Sequence, residues 1–257
     1  MVVHKNLRGR PEGARDRICI ALAGAFPMKR FLFLFAVPSL LVSMAACPLS
    51  MDAQQIPLSE LSQSKFKSAT AEVTTYHGSP ALKLIPKKQT DPGFVPGGPL
   101  VILNNVHFRN GEIDVDVAGA PAKGADESAR GFIGVAFRVQ SESRFEIIYL
   151  RPTNSHADDQ LRRNHTTQYS SDPDWPWDRL RKESPGVYES WVDMETGEWT
   201  HMRIVVHGTD ASLFVNNARN PCLIVHDLKL GDVEGSVGLW MGQDTEGYFR
   251  NLSISKQ

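Results

Sequence analysis

The stretch EWTHMRIVVHGTDASLFVNN, residues 198–217, decides the fold class. It contains two β-rich runs, 198–208 and 211–216, which are separated only by Thr209 and Asp210. Short runs rich in β-branched and aromatic residues, with turn residues between them, are typical of antiparallel strands joined by a hairpin. The stretch therefore predicts paired β-strands, and the sequence on either side extends the same pattern.

Further β-rich runs lie outside this stretch at short spacing. EIDVDV, residues 112–117, alternates strictly between acidic and apolar residues, as a half-buried strand does. Asn110-Gly111 before it predicts a hairpin with the run 100–108. Many short strands at this spacing, without a long helical period, predict a sandwich or a barrel. The other β-rich runs are 71–76, 81–85, 131–139, 144–151, 186–192, 221–228, 235–241 and 247–255.

The composition and charge of the chain argue against a nucleic-acid-binding protein and against a disulfide-rich one. Its 257 residues, 41% of them hydrophobic, suit one all-β domain with its own core and a targeting segment. A net charge of -1 argues against nucleic-acid binding, which needs a basic surface. Of three cysteines, only Cys222 lies clearly within the domain, so a disulfide framework is not expected.

The N-terminal region carries an export signal. From Met28, two basic residues precede an apolar run and then small residues, which is the pattern of a secretory signal peptide. We assign residues 28–53 to this signal peptide and residues 54–257 to the mature domain. Residues 1–27 are interpreted as a wrongly assigned upstream extension, and a long basic leader is the alternative.

The cleavage point of this signal has two interpretations. MAAC, ending at Cys47, resembles a bacterial lipobox, although Met44 replaces the usual Leu. Cleavage after Ala53 is the competing interpretation. Either way we expect an exported bacterial protein that is secreted, periplasmic or associated with the outer membrane. Contact with a membrane is predicted only through a lipid anchor on Cys47.

The C-terminal third resembles the concanavalin A-like lectin/glucanase superfamily, which includes laminin G-like jelly rolls. The motifs are a Trp before a hydrophobic strand, a strand ending in V-N-G, a G-x-V-G-L-W run and a final Phe-x-Asn strand. Asn217 stands where Gly is usual, and Asn tolerates the positive φ of such a turn. Here the motifs are Trp199, Val215-Asn216-Asn217, Gly235–Trp240 and Phe249–Ile254.

The resemblance covers roughly residues 65–255 and has fold and function implications. It implies an all-β, two-sheet antiparallel jelly-roll sandwich whose curved sheet offers a groove to an oligosaccharide or polysaccharide. Exported domains of this kind are similar to the 3-keto-disaccharide hydrolase-type domain family. The implied function is therefore carbohydrate binding, or carbohydrate processing of that type.

A long insert interrupts the strands after Arg151, with the sequence PTNSHADDQLRRNHTTQYSSDPDWPWDRLRKE. Loops longer than about 12–15 residues are usually functional or disordered, and apolar residues such as Trp175 and Leu180 disfavour disorder here. We therefore predict a folded flap, residues 152–185, over one end of the sandwich. Its charged residues could instead form surface ion pairs, with its tryptophans anchored in the core.

The residue types in and beside the insert suit a glycan. Arg presents a planar fork of donors to carboxylates or paired hydroxyls, and aromatic rings stack on sugar rings. The predicted substrate-binding residues are Arg138, Tyr149, Arg151, Asp159, Arg162, Arg163, Asn164, Gln168, Trp175 and Trp177.

Two chemistries and one non-catalytic role remain open. A glycosidase needs two facing carboxylates. Glu146 is the best one on a strand, and Asp158, Asp159 and Glu189 remain open as its partner. A polysaccharide lyase needs a group that neutralises a uronate, and a His or Tyr base such as His165 or Tyr169. Glu146, His165 and Tyr169 are thus the candidate catalytic residues. A glycan-binding module or a laminin G-like adhesion module needs none of them.

No cofactor is predicted, apart from an optional structural Ca²⁺. The superfamily often holds this ion, and Asp232, Glu234 and Asp244 offer oxygen ligands without a diagnostic spacing. No catalytic metal is expected, since Cys222 is isolated and the histidines lack zinc-ligand spacing.

Overall fold

The computed structural model describes residues 53–87 and 97–257, all within one compact unit, Leu49–Gln257. The predicted upstream extension, signal peptide and lipobox lie outside the described residues, apart from Ala53. No helix in the described ranges is long and apolar enough to cross a membrane.

Strands dominate the described residues, and three short α-helices and one 3₁₀ turn lie between them. The strands are β1 (Gln54–Gln55), β2 (Lys65–Lys67), β3 (Ala69–Tyr76), β4 (Ser79–Pro86), β5 (Leu100–Ile102), β6 (Gly111–Pro121), β7 (Ile133–Ser141), β8 (Arg144–Leu150), β9 (Thr167–Asp172), β10 (Glu189–Ser190), β11 (Thr200–His207), β12 (Asp210–Val215), β13 (Leu223–Val225), β14 (Ser236–Met241) and β15 (Thr245–Lys256). The helices are α1 (Leu58–Leu61), α2 (Gln160–Arg163) and α3 (Trp177–Glu183), and the 3₁₀ turn is Pro152–Asn154.

These strands form two antiparallel sheets, which confirms the predicted sandwich. Within the described residues, sheet A has the order β13-β12-β11-β6-β15-β4-β3, with β1 also paired to β15. Sheet B has the order β10-β9-β8-β7-β14-β5-β2. The hairpin predicted from residues 198–217 is β11–β12, and the β-rich runs 131–139 and 144–151 pair as β7 and β8.

The core lies between the two sheets and follows the period-two pattern. In β6, Ile113, Val115 and Val117 are buried, whereas the acidic residues between them remain partly exposed. Each such side chain contributes about 1.5–3 kcal/mol when it is fully removed from water. The alternation read from residues 112–117 is therefore confirmed as the inner and outer faces of one strand.

The hairpin predicted at Asn110-Gly111 is wrong, because the chain changes sheets there. β5 pairs with β2 and β14 in sheet B, whereas β6 belongs to sheet A. Gly111 has φ 135°, and a Cβ on it would lie 1.9 Å from the carbonyl oxygen of Ser255. The glycine is required by this close crossing rather than by a two-residue turn.

The predicted flap is also not one continuous insertion. Thr167–Asp172 forms β9, which pairs with β8 through Ile148↔Tyr169 and Tyr149↔Gln168. Only the segments with α2 and α3, before and after β9, lie outside the sheet. Polar Ser, Thr and Gln occupy most of β9, so the strand has no apolar alternation by which the sequence could reveal it.

Glu146 and Tyr169 lie in the core, which corrects their assignment as catalytic residues. Both side chains are fully buried. The Tyr169 hydroxyl donates to Glu146 Oε2 at 2.6 Å and accepts from the backbone N–H of Lys229 at 2.7 Å. Glu146 Oε1 accepts from the N–H of Leu230 at 2.7 Å, and burial raises the pKa of this carboxyl. The pair holds the 229–230 loop to sheet B and has no surface to offer a ligand.

Arg138 is likewise a structural residue rather than a sugar-binding one. Its side chain is completely buried at a bulge of β7, where its φ is 50°. The guanidinium donates to the carbonyl oxygens of Arg109, at 2.8 Å, and Gly208, at 2.6 Å, and also to that of Gly231. Arg138 therefore ties three loops together at one end of the sandwich.

Replacing Tyr169 by Phe tests the core role of this pair. The variant leaves a buried carboxylate oxygen and a backbone N–H without their partner, which should lower the free energy of unfolding by about 2–3 kcal/mol. Urea denaturation measures this loss. Tyr76→Phe is the matched control, because the Tyr76 hydroxyl makes one half-buried bond to the carbonyl of Gly197. Equal stability of the two variants would contradict the assignment.

Candidate functional site

A polar network covers the outer face of sheet B near its β10 edge. Tyr149 of β8, Gln168 of β9 and Glu189 of β10 are direct neighbours in register, so their side chains share this face. Arg151, just after β8, donates to the Tyr149 hydroxyl and to Gln168 Oε1, each at 3.0 Å. Its other terminal nitrogen lies 3.2 Å from Glu189 Oε1. One guanidinium thus joins three strands.

Glu189 extends this network to α3. Its side chain is 2% exposed, and its Oε2 accepts from Arg181 Nε at 2.9 Å while Oε1 accepts from Arg181 Nη2. Burial opposes ionisation, but the hydrogen bonds from Arg181 and the charge of Arg151 outweigh it and lower the pKa of Glu189. The carboxylate is therefore ionised and held by two arginines.

His165 completes the cluster as a neutral ring. Its Nδ1 is buried and lies 2.9 Å from Glu189 Oε2. Burial lowers the pKa of His165, and the charges of Arg181 and Arg151 lower it further against the opposing effect of Glu189. At neutral pH the ring therefore has both a donor and an acceptor nitrogen.

Two surface grooves meet at Trp191 beside this network. The indole is 49% exposed, and its Nε1–H donates to the carbonyl of Ser155 at 3.1 Å, which fixes the ring. The Leu161 groove, of about 540 Å³, is lined by Leu161, Asn164, His165, Arg181, Pro185, Gly186, Glu189, Ser190 and Trp191. The His156 groove, of about 460 Å³, is lined by Ser155, His156, Gln160, Arg163 and Trp191.

The Leu161 groove combines apolar walls with a polar floor. Leu161, with 65% of its surface exposed, Pro185 and Trp191 are its apolar members. Arg181 and Glu189 form the charged part of the lining and are bonded to each other, and Asn164 and His165 are its other polar members. Such a combination is the usual make-up of a small-molecule or sugar site, where apolar surface gives affinity and a few polar groups give orientation.

The sequence-predicted residues are divided between the grooves and the network. Asn164 and His165 line the Leu161 groove, and Arg163 lines the His156 groove. Tyr149, Arg151 and Gln168 are buried and support the Glu189 cluster from below. Trp177 is 44% exposed, and its ring packs 4.6 Å from the guanidinium carbon of Arg181.

Three further predicted residues make local structural contacts instead. Asp159 caps α2, because its Oδ1 accepts from the N–H groups of Leu161 and Arg162. Arg162 is occupied by Asn154 Oδ1 at 2.9 Å and by Thr153. The Trp175 ring packs against the side chains of Arg179, at 3.8 Å, and Lys229, at 4.6 Å, beside the core. None of the three lines either groove.

Sequence reasoning missed Trp191, which both grooves share. The run 186–192 predicts a strand, and a Trp within a strand is commonly a core residue. Only Glu189–Ser190 is a strand, and Tyr188 is the buried aromatic residue of the run. Residues two apart in a strand share a face, so Glu189 and Trp191 lie on the same side of the chain. The acidic Glu189 could therefore have indicated that the Trp191 ring faces outward.

Two of the three residues considered for Ca²⁺, Asp232 and Glu234, contact basic side chains instead. Both Asp232 carboxylate oxygens accept from Arg109, at 2.9 and 2.6 Å. Glu234 lies 3.3 Å from His107. Across residues 53–87 and 97–257, no three His, Cys, Asp or Glu side chains are grouped to hold a metal ion.

Comparisons with known proteins give structural similarity at low sequence identity. No protein-family model matches the chain, and a search of the curated proteins gives no match. The carbohydrate binding module CBM66 from Bacillus subtilis is 12% identical, with a TM-score of 0.46 over 74% of this chain and 98% of the module.

Two other solved structures are similar to the same degree. Domain 4 of AbnA, an extracellular arabinanase from Geobacillus stearothermophilus solved with arabinotriose, is 13% identical, with a TM-score of 0.44 over 80% of this chain and 91% of that domain. A protein of unknown function with a galectin-like fold from Bacillus subtilis is 9% identical, with a TM-score of 0.46 over 78% and 92%. Similarity at this level transfers no ligand or activity to this chain.

Replacing Glu189 by Gln tests the charge network and its pH dependence. At neutral pH, loss of a buried, doubly paired carboxylate should lower the free energy of unfolding by about 3 kcal/mol. Because the pKa of Glu189 is lowered on folding, this contribution is present above the ordinary glutamate pKa of about 4.3 and is lost as the pH falls through the folded value. Denaturation of wild type and variant at a series of pH values measures the difference.

The matched control is Glu183→Gln, which removes the exposed partner of Arg179 on α3. This variant should change stability by no more than about 1 kcal/mol at any pH, because exposed pairs contribute little. A pH-independent loss in the Glu189 variant, or a loss no larger than that of the control, would refute the network.

Proposed function

We propose that this protein binds a glycan in the Leu161 groove and does not transform it. The observation that carries the proposal is the half-exposed indole of Trp191, which is fixed by its bond to Ser155 between polar-lined depressions. The carbon–hydrogen face of a sugar ring packs on an indole, while its hydroxyls bond to polar groups around the rim. A rigid ring loses little conformational entropy when it is covered.

The floor of the groove suits hydroxyl groups. Hydroxyls both donate and accept, and neutral His165 together with Asn164 provides both kinds of partner. The floor is also preorganised, because Glu189 already holds Arg181 and Arg151 in place. Binding therefore does not require these charged side chains to be reordered.

A glycosidase is less well supported by the same geometry. Glycoside hydrolysis needs two carboxyl groups across the scissile bond, one of them protonated at working pH. Glu189 is the only carboxylate among the described groove-lining residues, and its arginine partners lower its pKa, which is the opposite of what a general acid needs. This observation argues against an ordinary two-carboxylate glycosidase at this site.

A lyase is disfavoured for a related reason. It needs a free cationic or amide group for the uronate and a base for the proton. Tyr169 is buried, and the Arg181 fork is directed at Glu189. Among the described residues that line the Leu161 groove, His165 is the one remaining base of suitable type. Binding outside the cytoplasm, as the predicted signal peptide implies, is therefore the function that we propose.

Replacing Trp191 by Ala should weaken glycan binding at least about 10-fold, or roughly 1.4 kcal/mol. Binding of the full chain to a panel of neutral and acidic polysaccharides, followed by calorimetry on the best ligand, measures the effect. Ile224→Ala is the control, since Ile224 is a similarly exposed apolar residue on the edge strand β13. Unchanged affinity in the Trp191 variant would contradict the site, and tight capture of a protein without any sugar would favour an adhesion module.

Incubating the full chain with the same panel of polysaccharides tests whether the protein cleaves a glycan. We expect no new reducing ends and no unsaturated products, because the described residues of the Leu161 groove include no pair of carboxylates and no unoccupied arginine fork beside a base. Release of either product, abolished by Glu189→Gln or His165→Ala, would overturn the binding-only proposal. Silence together with measurable binding would support it.

A further inference from the structure

Trp191 lies between two grooves. Its ring lines both the Leu161 groove and the His156 groove, and its only polar atom is tied to Ser155. The ring is therefore held as a partition between them. The volumes of the grooves, about 540 and 460 Å³, both lie in the range of small-molecule sites.

Helix α2 forms the other part of this partition. Leu161 and Asn164 line one groove, and Gln160 and Arg163 line the other. Each pair is three residues apart, so each occupies one side of the helix. The two sides are connected, because Gln160 Nε2 donates to Asn164 Oδ1 at 2.8 Å. A single ligand chain crossing α2 beside Trp191 would contact both grooves.

The His156 groove has donors of its own that are already held in position. Arg163 Nη2 donates to Gln160 Oε1 at 2.7 Å, which fixes the guanidinium. Its Nε and Nη1 have no hydrogen-bond partner among the described residues. His156 Nε2 lies 2.8 Å from Asp193 Oδ1, and Nδ1 lies 3.5 Å from Glu195 Oε1. These side chains are exposed at the rim.

The mixture of groups around this groove indicates the ligand class. Arg163 donates, whereas Asp193 and Glu195, held beside His156 at the rim, accept. Sugar hydroxyls can use both kinds of group. The two carboxylates face His156, whose pKa they raise, and they offset the charge of Arg163, so an anionic sugar gains little net attraction here. The groove therefore favours an uncharged sugar unit.

We propose that the His156 groove is a second sugar subsite, and that the protein binds a neutral chain of at least two units with Trp191 between them. The inference rests on the proposed function of the Leu161 groove and adds to it the chain length and charge of the ligand. Arg163 is the residue that distinguishes a chain from a single sugar. The more enclosed Leu161 groove, with its apolar walls, holds the first unit.

Calorimetry with the full chain tests this inference on defined probes. The probes are the mono- to tetrasaccharides of β-glucan, xylan, mannan, arabinan and polygalacturonate. We expect affinity in one neutral series to rise at least about 10-fold from the monosaccharide to longer members. Arg163→Ala should remove most of that rise and change monosaccharide binding less than about 2-fold.

Arg144→Ala is the matched control, because Arg144 is an exposed arginine elsewhere on sheet B, paired with Asp174. It should leave the length dependence unchanged. Affinity independent of length, an equal loss for short and long probes in Arg163→Ala, or a preference for polygalacturonate would overturn the second subsite while leaving glycan binding intact. No binding in any series would overturn the proposed function itself, and the second subsite with it.

Discussion

The carboxylate of Glu189 is the point on which the candidate site depends. It is bonded to Arg151, which joins β8 to β9, and to Arg181, which belongs to α3. Without this charge the two guanidinium groups would be left close together in a nearly buried position, which is energetically unfavourable. The same interaction thus stabilises the β10 edge of sheet B, positions α3 and gives the groove a rigid floor. Trp191, two residues further along the chain, stands over that floor.

Elsewhere in the sandwich, other buried polar residues make internal structural contacts. Arg138 ties three loops at one end, and the Glu146–Tyr169 pair fixes the loop that follows β13. Arg, Glu and Tyr are residue types that binding and catalysis use, but here the side chains are buried and hydrogen-bond to other parts of the protein. The sequence alone therefore does not show whether a charged or polar residue binds a ligand. When internal partners fill all of its hydrogen-bonding positions, none is left for a ligand.

Much of the fold could be predicted from the sequence, because polar and apolar residues alternate along a strand that has one buried face. The β6 prediction succeeded for that reason, whereas β7 and β8, which are buried on both faces, were predicted from β-rich runs next to turn residues. β9 was missed because most of its residues are polar. The hairpin prediction at Asn110-Gly111 was wrong because a local turn signal does not show that the flanking strands belong to different sheets. The site was predicted in part. His165, Asn164 and Arg163 were selected by residue type, whereas Trp191 depends on long-range pairing that places β10 at an edge.

The most direct test of glycan recognition at Trp191 is ¹⁹F NMR of the full chain labelled with fluorotryptophan. The chain has five tryptophans, and single Trp→Phe variants assign their resonances. Titration with the best-binding oligosaccharide should shift the Trp191 resonance most, with a smaller effect at Trp177 and none at Trp199, which lies on sheet A beside Tyr76. A shift confined to Trp199 or Trp240, with Trp191 unchanged, would place the ligand elsewhere and contradict the account.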